Sequence, residues 1–182
     1  MVRTSFKIHA GAQLALCVAG LLAASLATLP FLPPFADEWL LLGIGIALLV
    51  PLHVATIVRS IAVGLRDMRF ASSKANQWRA LRSLPRRVKG MLAGVGLAGV
   101  MLLVGARADD SSLHKADSVR GRYFAIDTSD PRRERIQITR SKYEALRKED
   151  QQVTFAAYAL FAAAGGGLTL LFAKLDTWVG MP

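Results

Sequence analysis

Residues 153–173 read VTFAAYALFAAAGGGLTLLFA, 21 positions without a charged side chain. A helix needs about 20 predominantly apolar residues to cross the roughly 30 Å hydrocarbon core of a bilayer, so this stretch is long enough to span. Towards the N-terminus three more stretches qualify: 8–30, 39–58 (WLLLGIGIALLVPLHVATIV) and 90–106, none of them carrying Lys, Arg, Asp or Glu. The chain therefore reads as an all-α membrane protein with four transmembrane helices.

Charge segregation supports that reading. The composition is 53% hydrophobic and 20% charged, with 23 Lys and Arg against 13 Asp and Glu, a net charge of +10. On a folded soluble domain such a surplus points to nucleic acid; here the bases flank apolar spans, which disfavours nucleic acid and favours membrane lipids as partners. Cys17 is the single cysteine and lies inside the first span, a depth that suits apolar packing better than lipidation or redox chemistry. An intramolecular disulfide is excluded, and with it the four-helix membrane families built on outer-loop disulfides or a Cys-x-x-Cys pair.

Orientation follows from the bases, because Lys and Arg in short flanks resist translocation. Arg3 and Lys7 precede the first span, and the first connection, 31–38, carries Asp37 and Glu38 without a base. The second connection holds Arg66, Arg69, Lys74, Arg79, Arg82, Arg86, Arg87 and Lys89 against Asp67 alone. The N-terminus and second connection are expected in the cytoplasm, residues 107–152 outside, and the C-terminus, after Lys174, inside again. The outer segment carries eleven bases and nine acids, a balance that leaves its translocation unconstrained. Abundant Arg, Ala, Gly and Leu give the composition of a bacterial protein, and the expected location is the bacterial cell (plasma) membrane. Ser25-Leu26-Ala27 offers a small-x-small pattern to a signal peptidase, but the apolar run 8–24 exceeds the roughly 7–15 residues of a signal core, which favours a retained anchor.

Three regions result. Residues 1–106 hold transmembrane helices 1–3 with a basic cytoplasmic loop at 64–90. Residues 107–141 form an extracytoplasmic loop with a small β-hairpin between helices 3 and 4. Residues 142–182 form a long helix that continues into transmembrane helix 4 and a cytoplasmic tail. For the hairpin, strands are expected at 119–128, with Tyr123, Phe124 and Ile126, and at 135–139, where Ile136 and Ile138 alternate with Gln137 and Thr139. Ser129-Asp130-Pro131 makes the turn. Ser141 to Glu144 fits a capping box that starts a continuous helix over 142–173. Residues 109–118 are expected to be loose. Asp109, Asp110, His114 and Asp117 match no established cation-binding motif. Arg132, Arg133 and Arg135 beside Asp127, Asp130 and Glu134 read as an exposed hairpin tip.

Helices in lipid gain little from hydrophobicity and associate through small residues that let backbones approach. The third span carries Gly90-x-x-x-Gly94 and the fourth Gly165, Gly166 and Gly167. These are candidate helix-packing positions for a tight bundle or a self-associating pair, and the glycine run fits a kink, a flexible point or a close crossing. The first span offers Ala12, Ala15, Ala19, Gly20, Ala23 and Ala24.

The second span holds the most suggestive polar residues. Pro51 leaves the carbonyl of Ala47 without its helical partner, so a kink is expected. His53, Thr56 and Ser60 share a helical face that leads to Arg59, expected to snorkel to the headgroups. Ionisable groups at membrane depth mark candidate sites. The candidate intramembrane polar site is therefore His53, Thr56 and Ser60 with Gln13, serving as a proton relay or ligand contact, or as an interhelical lock to Gln13 or Thr28. A metal centre would need two or three more ligands at that depth and none is offered, so neither metal nor cofactor is assigned. In the basic loop, Leu65, Met68, Ala75 and Trp78 approximate one face of an amphipathic helix ended by Pro85, and Arg79, Arg82, Arg86, Arg87 and Lys89 are candidate contacts for anionic lipid.

Gly-x-Ser-x-Gly, His-Glu-x-x-His and an intramembrane carboxylate pair are all absent from the sequence. No catalytic residue is assigned and an enzyme is not expected. Two readings remain. One is a non-catalytic accessory, protective or regulatory membrane module acting through contacts with a membrane-protein partner or further copies of itself. The other is a small transporter or channel component with a polar site around His53.

Overall fold

A computed structural model describes residues 4–106, 113–129, 132 and 134–179. In chain order the elements are α1 (Thr4–Ala27), α2 (Glu38–Arg66), α3 (Met68–Ser72), α4 (Lys74–Arg82), α5 (Arg86–Ala106), β1 (Leu113–Val119), β2 (Arg122–Asp127), β3 (Arg135–Ile138) and α6 (Arg140–Val179). The chain is mostly helical, 77%, and α1, α2, α5 and α6 are each long and apolar enough to cross a membrane. These four helices are compatible with a multi-pass membrane protein.

The arrangement centres on α6. In its apolar window 44% of residues are buried, against 11% in α2 and 6% in α5, because α1, α2 and α5 all pack on α6 and little on one another. Their outward faces carry Leu, Ile and Val such as Leu22, Ile44, Ile57, Leu97 and Val104, the surface a lipid solvent requires. With 40 residues α6 is about 60 Å long at 1.5 Å per residue, twice the roughly 30 Å hydrocarbon core. The excess supports the sheet at its start and α3 and α4 at its end.

Close approach is specific. A Cβ built on Gly20 would stand 3.0 Å from Tyr158 and 3.1 Å from Ala159, and one on Gly99 would stand 2.7 Å from Leu160. Gly165 and Gly166 serve a close crossing with α1 and α2 rather than a break, since α6 runs on unbroken. Gly90 and Gly94 meet no atom within 4 Å, so within the chain they do not pack helices; α5 meets α6 through the face that holds Gly99, Leu102 and Leu103.

The connection between α1 and α2 contains Pro30, Pro33 and Pro34, which leave carbonyls with few amide partners. Side chains of α6 satisfy them. Gln151, 1% exposed, accepts from the Phe35 N–H at 2.9 Å and donates to the Phe35 carbonyl at 2.9 Å. Lys148 donates to Leu29 and Pro30 carbonyls at 3.0 and 3.2 Å. Phe35 and Phe155 pack edge to face. Farther along, Gln152 donates to the Leu102 carbonyl of α5 at 2.8 Å.

At the opposite end, the expected single amphipathic helix of the basic loop is two helices with a corner at Ser73. Side chains satisfy the backbone groups the break exposes: Asp67 accepts from Phe70 N–H at 2.9 Å, Asn76 donates to the Phe70 carbonyl at 3.1 Å and Gln77 to the Ala71 carbonyl at 3.0 Å. Pro85 initiates α5, its carbonyl accepting from Lys89. Ala71, Ala80 and Leu175 pack beneath, while Leu65, Met68 and Trp78 are exposed. Arg66 of α2 pairs with the buried Asp176 of α6.

Between α5 and α6 lies a three-stranded antiparallel sheet, β1-β2-β3, where a two-stranded hairpin was expected. Leu113–Val119, expected to be loose, is a strand because its backbone pairs with β2; its side chains alternate too weakly for periodicity to reveal it. Val119 ends β1 rather than opening the next strand. The turn is Arg120-Gly121, with φ of 50° and 77°, the two positive angles a two-residue hairpin loop demands. The expected turn after β2 is anchored by Asp127, which accepts from Ser129 N–H and hydroxyl; Asp130 and Pro131 lie outside the described residues. The helix cap also differs. Thr139 accepts from Lys142 N–H at 3.3 Å, α6 begins at Arg140, and Glu144 pairs with Arg140 instead of closing a box with Ser141. Tyr123 stacks on Tyr143, ring centres 4.7 Å apart, and seats the sheet on α6.

Replacing Gln151 by Leu leaves the Phe35 N–H without its partner and the Phe35 carbonyl with Arg147 alone, which is expected to lower stability by about 1–3 kcal/mol. Thermal unfolding in detergent checks this; an unchanged melting temperature would remove the clamp from the account of how α1 and α2 are joined.

Candidate functional site

Four buried polar side chains meet at the α3–α4 end of the spans. His9 and Gln13 lie one helical turn apart on α1, Thr56 lies on α2, and Thr169 on α6, all at most 7% exposed. The i to i+4 spacing places His9 above Gln13 on one face, while the absence of a Cβ at Gly165, one turn before Thr169, opens room for that face. A Cβ there would fall 2.8 Å from Gln13 Nε2 and 2.8 Å from His53 Nε2.

Thr56 Oγ1 is the hub. It lies 3.0 Å from His9 Nε2, 3.3 Å from Gln13 Nε2, 2.8 Å from Thr169 Oγ1 and 2.9 Å from the Leu52 carbonyl. Thr169 Oγ1 also lies 3.1 Å from Gln13 Oε1. A hydroxyl has one proton to donate, so the pair has two settings. In one, Thr169 donates to Gln13 and Thr56 to Thr169; in the other, Thr56 donates to Leu52 and Thr169 to Thr56. The two settings exchange by rotating hydroxyl protons alone.

Carbonyl partners fix both imidazoles. His9 Nε2 is 2.8 Å from the Leu52 carbonyl, an acceptor only, so Nε2 carries a proton. His53 Nδ1 is 3.1 Å from the Leu49 carbonyl, so Nδ1 carries a proton, and Nε2 occupies the space beside Gly165. The proline at 51 does not interrupt α2, which runs from Glu38 to Arg66.

The candidate residues are therefore only partly brought together. Thr56 and Gln13 join the network, with Gln13 bonded to Thr56 and Thr169 rather than to His53. His53 borders it, half-buried. Ser60 does not belong: two helical turns beyond His53 on the same face, its hydroxyl donates to Ile57 in its own helix and reaches no polar group of α1 or α6 among the described residues. Thr28 lies at the other end of α1 and bonds Ser25. Arg59, expected among the headgroups, donates to the Ser5 carbonyl at 3.4 Å and stacks 4.9 Å over Phe6, holding α2 to α1. His9 and Thr169 are the residues that sequence reasoning missed. Their signal is spacing, four residues from Gln13 and four from Gly165, in spans that otherwise offer few polar positions.

Outside the spans, Arg79, Arg82, Arg86 and Arg87 are exposed and Lys89 is half-buried, donating to the Arg82 carbonyl. Arg82 stacks 4.9 Å over Trp78. Among the described residues these five make no ion pair. His114 is exposed and Asp117 pairs with Arg135 at 2.7 Å, whereas Asp109 and Asp110 lie outside the described residues. No group of three His, Cys, Asp or Glu among the described residues could hold a metal ion. No family model, curated protein or solved structure matches the chain.

Gly165→Ala drives a methyl group into Gln13 and His53, and the variant is expected to be less stable than the wild type by about 1–3 kcal/mol. Ser60→Ala is expected to change nothing. Melting in detergent compares them, and a neutral Gly165→Ala would contradict the close crossing.

Proposed function

We propose that the chain is a small multi-pass integral membrane protein that acts as a non-catalytic accessory, protective or regulatory module through contacts with a membrane partner. The observation that carries this reading is how the polar side chains of the spans are used. His9, Gln13, Thr56 and Thr169 bond one another or the backbone, and Gln151, Gln152 and Tyr158 bond the backbones of neighbouring elements. They act as interhelical locks. The chemistry left facing outward lies at the two ends: the sheet at one, and the arginines of α4 and the start of α5 at the other.

From the distribution of bases we assign the N-terminus, α3, α4 and the C-terminus to the cytoplasm and the sheet to the outside of a bacterial cell membrane. In that orientation Arg79, Arg82, Arg86, Arg87 and Lys89 face anionic headgroups, with exposed Leu65, Met68 and Trp78 dipping beside them. The first helix stays attached, since it supplies His9 and Gln13. Gly90 and Gly94, open on α5, are available to a second copy or a partner helix. A transporter or channel component is the second reading, favoured by the two proton settings of Thr56 and Thr169 beside His53.

Orientation is read by cysteine labelling in a Cys17→Ser background. With a membrane-impermeant maleimide on intact cells, Ser129→Cys is expected to label and Ser83→Cys to label only after permeabilisation; the reverse pattern would invert the topology. For the module itself, in-membrane crosslinking of the tagged chain is expected to recover a stoichiometric partner that is lost on deleting residues 123–139. Recovery of the chain alone, together with loss of its cellular phenotype in His53→Leu, would instead favour transport.

A further inference from the structure

A cleft of about 720 Å³ lies between the sheet and the starts of α2 and α6, lined by Lys115, Asp117, Arg147 and Asp150 on one side and by Trp39, Leu42 and Phe155 on the other. Its volume falls within the roughly 300–1,000 Å³ of small-molecule sites. Leu42 and Phe155 also line a second hollow of about 200 Å³, walled by α1 and α2 with Tyr158 behind. Leu16 and Leu48 then join it to a third, of about 570 Å³, reaching Pro51 and Leu52. Shared side chains set the three hollows end to end as one segmented groove.

The polarity of this groove changes sharply along its length. Charged groups surround the top, whereas below Leu42 the walls are Ala, Gly, Leu, Ile, Phe and Pro, with the Tyr158 hydroxyl donating to the Gly45 carbonyl at 3.1 Å. From Trp39 to Leu52 the thirteen-residue rise of α2 covers about 20 Å, somewhat more than the roughly 15 Å of one bilayer leaflet's hydrocarbon. Small residues on α1 (Ala15, Ala19, Gly20, Ala23) keep the groove open towards lipid. A peptide in its lower part would find almost no partners for its backbone, and hydrocarbon needs none.

Lys115 marks the head of the groove. It lies in the irregularity that shifts β1 between His114 and Asp117, at φ 53°, a conformation uncommon for a residue with a side chain. Bulges of this kind re-aim side chains. Its ammonium makes no hydrogen bond or ion pair among the described residues, while the neighbouring Asp117 is held by Arg135.

We propose that this groove binds one glycerophospholipid, its phosphate against Lys115 and an acyl chain between α1 and α2 down to Pro51. The groove ends at Leu52, whose carbonyl belongs to the His9–Thr169 network, and the proposal does not depend on which partner the protein serves.

The test is native mass spectrometry of the full chain in detergent, titrated with dioleoylphosphatidylglycerol and with dioleoylphosphatidylethanolamine. One lipid per chain is expected to persist, bound about fivefold more weakly by Lys115→Glu and displaced by Ala19→Phe, which fills the groove from an exposed position. Leu97→Phe, on the lipid face of α5, is expected to bind as the wild type does. Lys115→Gln and Ala15→Leu repeat the comparison should the first variants fail to fold. Unchanged binding in both groove variants, or equal weakening by Leu97→Phe, would overturn the site. Competition by glycerol 3-phosphate as effective as that of the lipids would make it a site for free phosphate esters and overturn the acyl-chain assignment.

Discussion

In a lipid solvent a polar side chain must find its partner inside the protein, and the fold depends on how α6 meets that constraint. Its polar residues come at successive levels and between them fasten α1, α2, α5 and the α1–α2 connection. Lys148 and Gln151 take the carbonyls of the proline-rich connection, Gln152 the backbone of α5, Tyr158 that of α2, Thr169 the side chains of α1 and α2, and Asp176 the guanidinium of Arg66. Hydrophobic burial cannot supply this order, because lipid tails are as apolar as leucine. Hydrogen bonds and backbone contact set which helix touches which.

Glycines make those bonds reachable. Gly20, Gly99 and Gly165 each stand where a methyl group would collide with a neighbour, so each marks a place where another element comes within bonding distance of α6. At Gly165 the effect is direct: the missing Cβ lets Gln13 and His53 come within 3 Å of where it would stand, and the network with Thr56 and Thr169 closes around that space. Gly90, Gly94 and Gly96 have no neighbour and hold nothing together within one chain.

Much of the frame was legible in the sequence, since spans of this length and apolarity have few alternatives, and charge-free stretches matched all four long helices. What escaped was set by tertiary pairing. β1 has almost no hydrophobic alternation and exists through its bonds to β2. The Arg120-Gly121 turn lacks the usual Asn or Asp. The corner at Ser73 rests on Asn76 and Gln77 reaching back to carbonyls six residues away. In the polar site, Thr56 and Gln13 were readable as polar residues at membrane depth, but His9 near a span end resembles a boundary residue and Thr169 a small one. Only the crossing at Gly165 brings them together. Ser60 followed the helical spacing on α2 and still missed, because a shared face implies contact only where a neighbour covers it.

A bundle of this design offers its surroundings two chemically distinct ends and an interior fastened by bonds between its helices. The Thr56–Thr169 hydrogen bond is expected to couple α2 energetically to α6. A double-mutant cycle of Thr56→Val and Thr169→Val, followed by reversible unfolding in mixed micelles, measures it directly. A coupling of about 1 kcal/mol, in the upper part of the range for hydrogen bonds within membranes, is the predicted result. Strict additivity of the two substitutions would contradict it and leave the helices held by close packing alone.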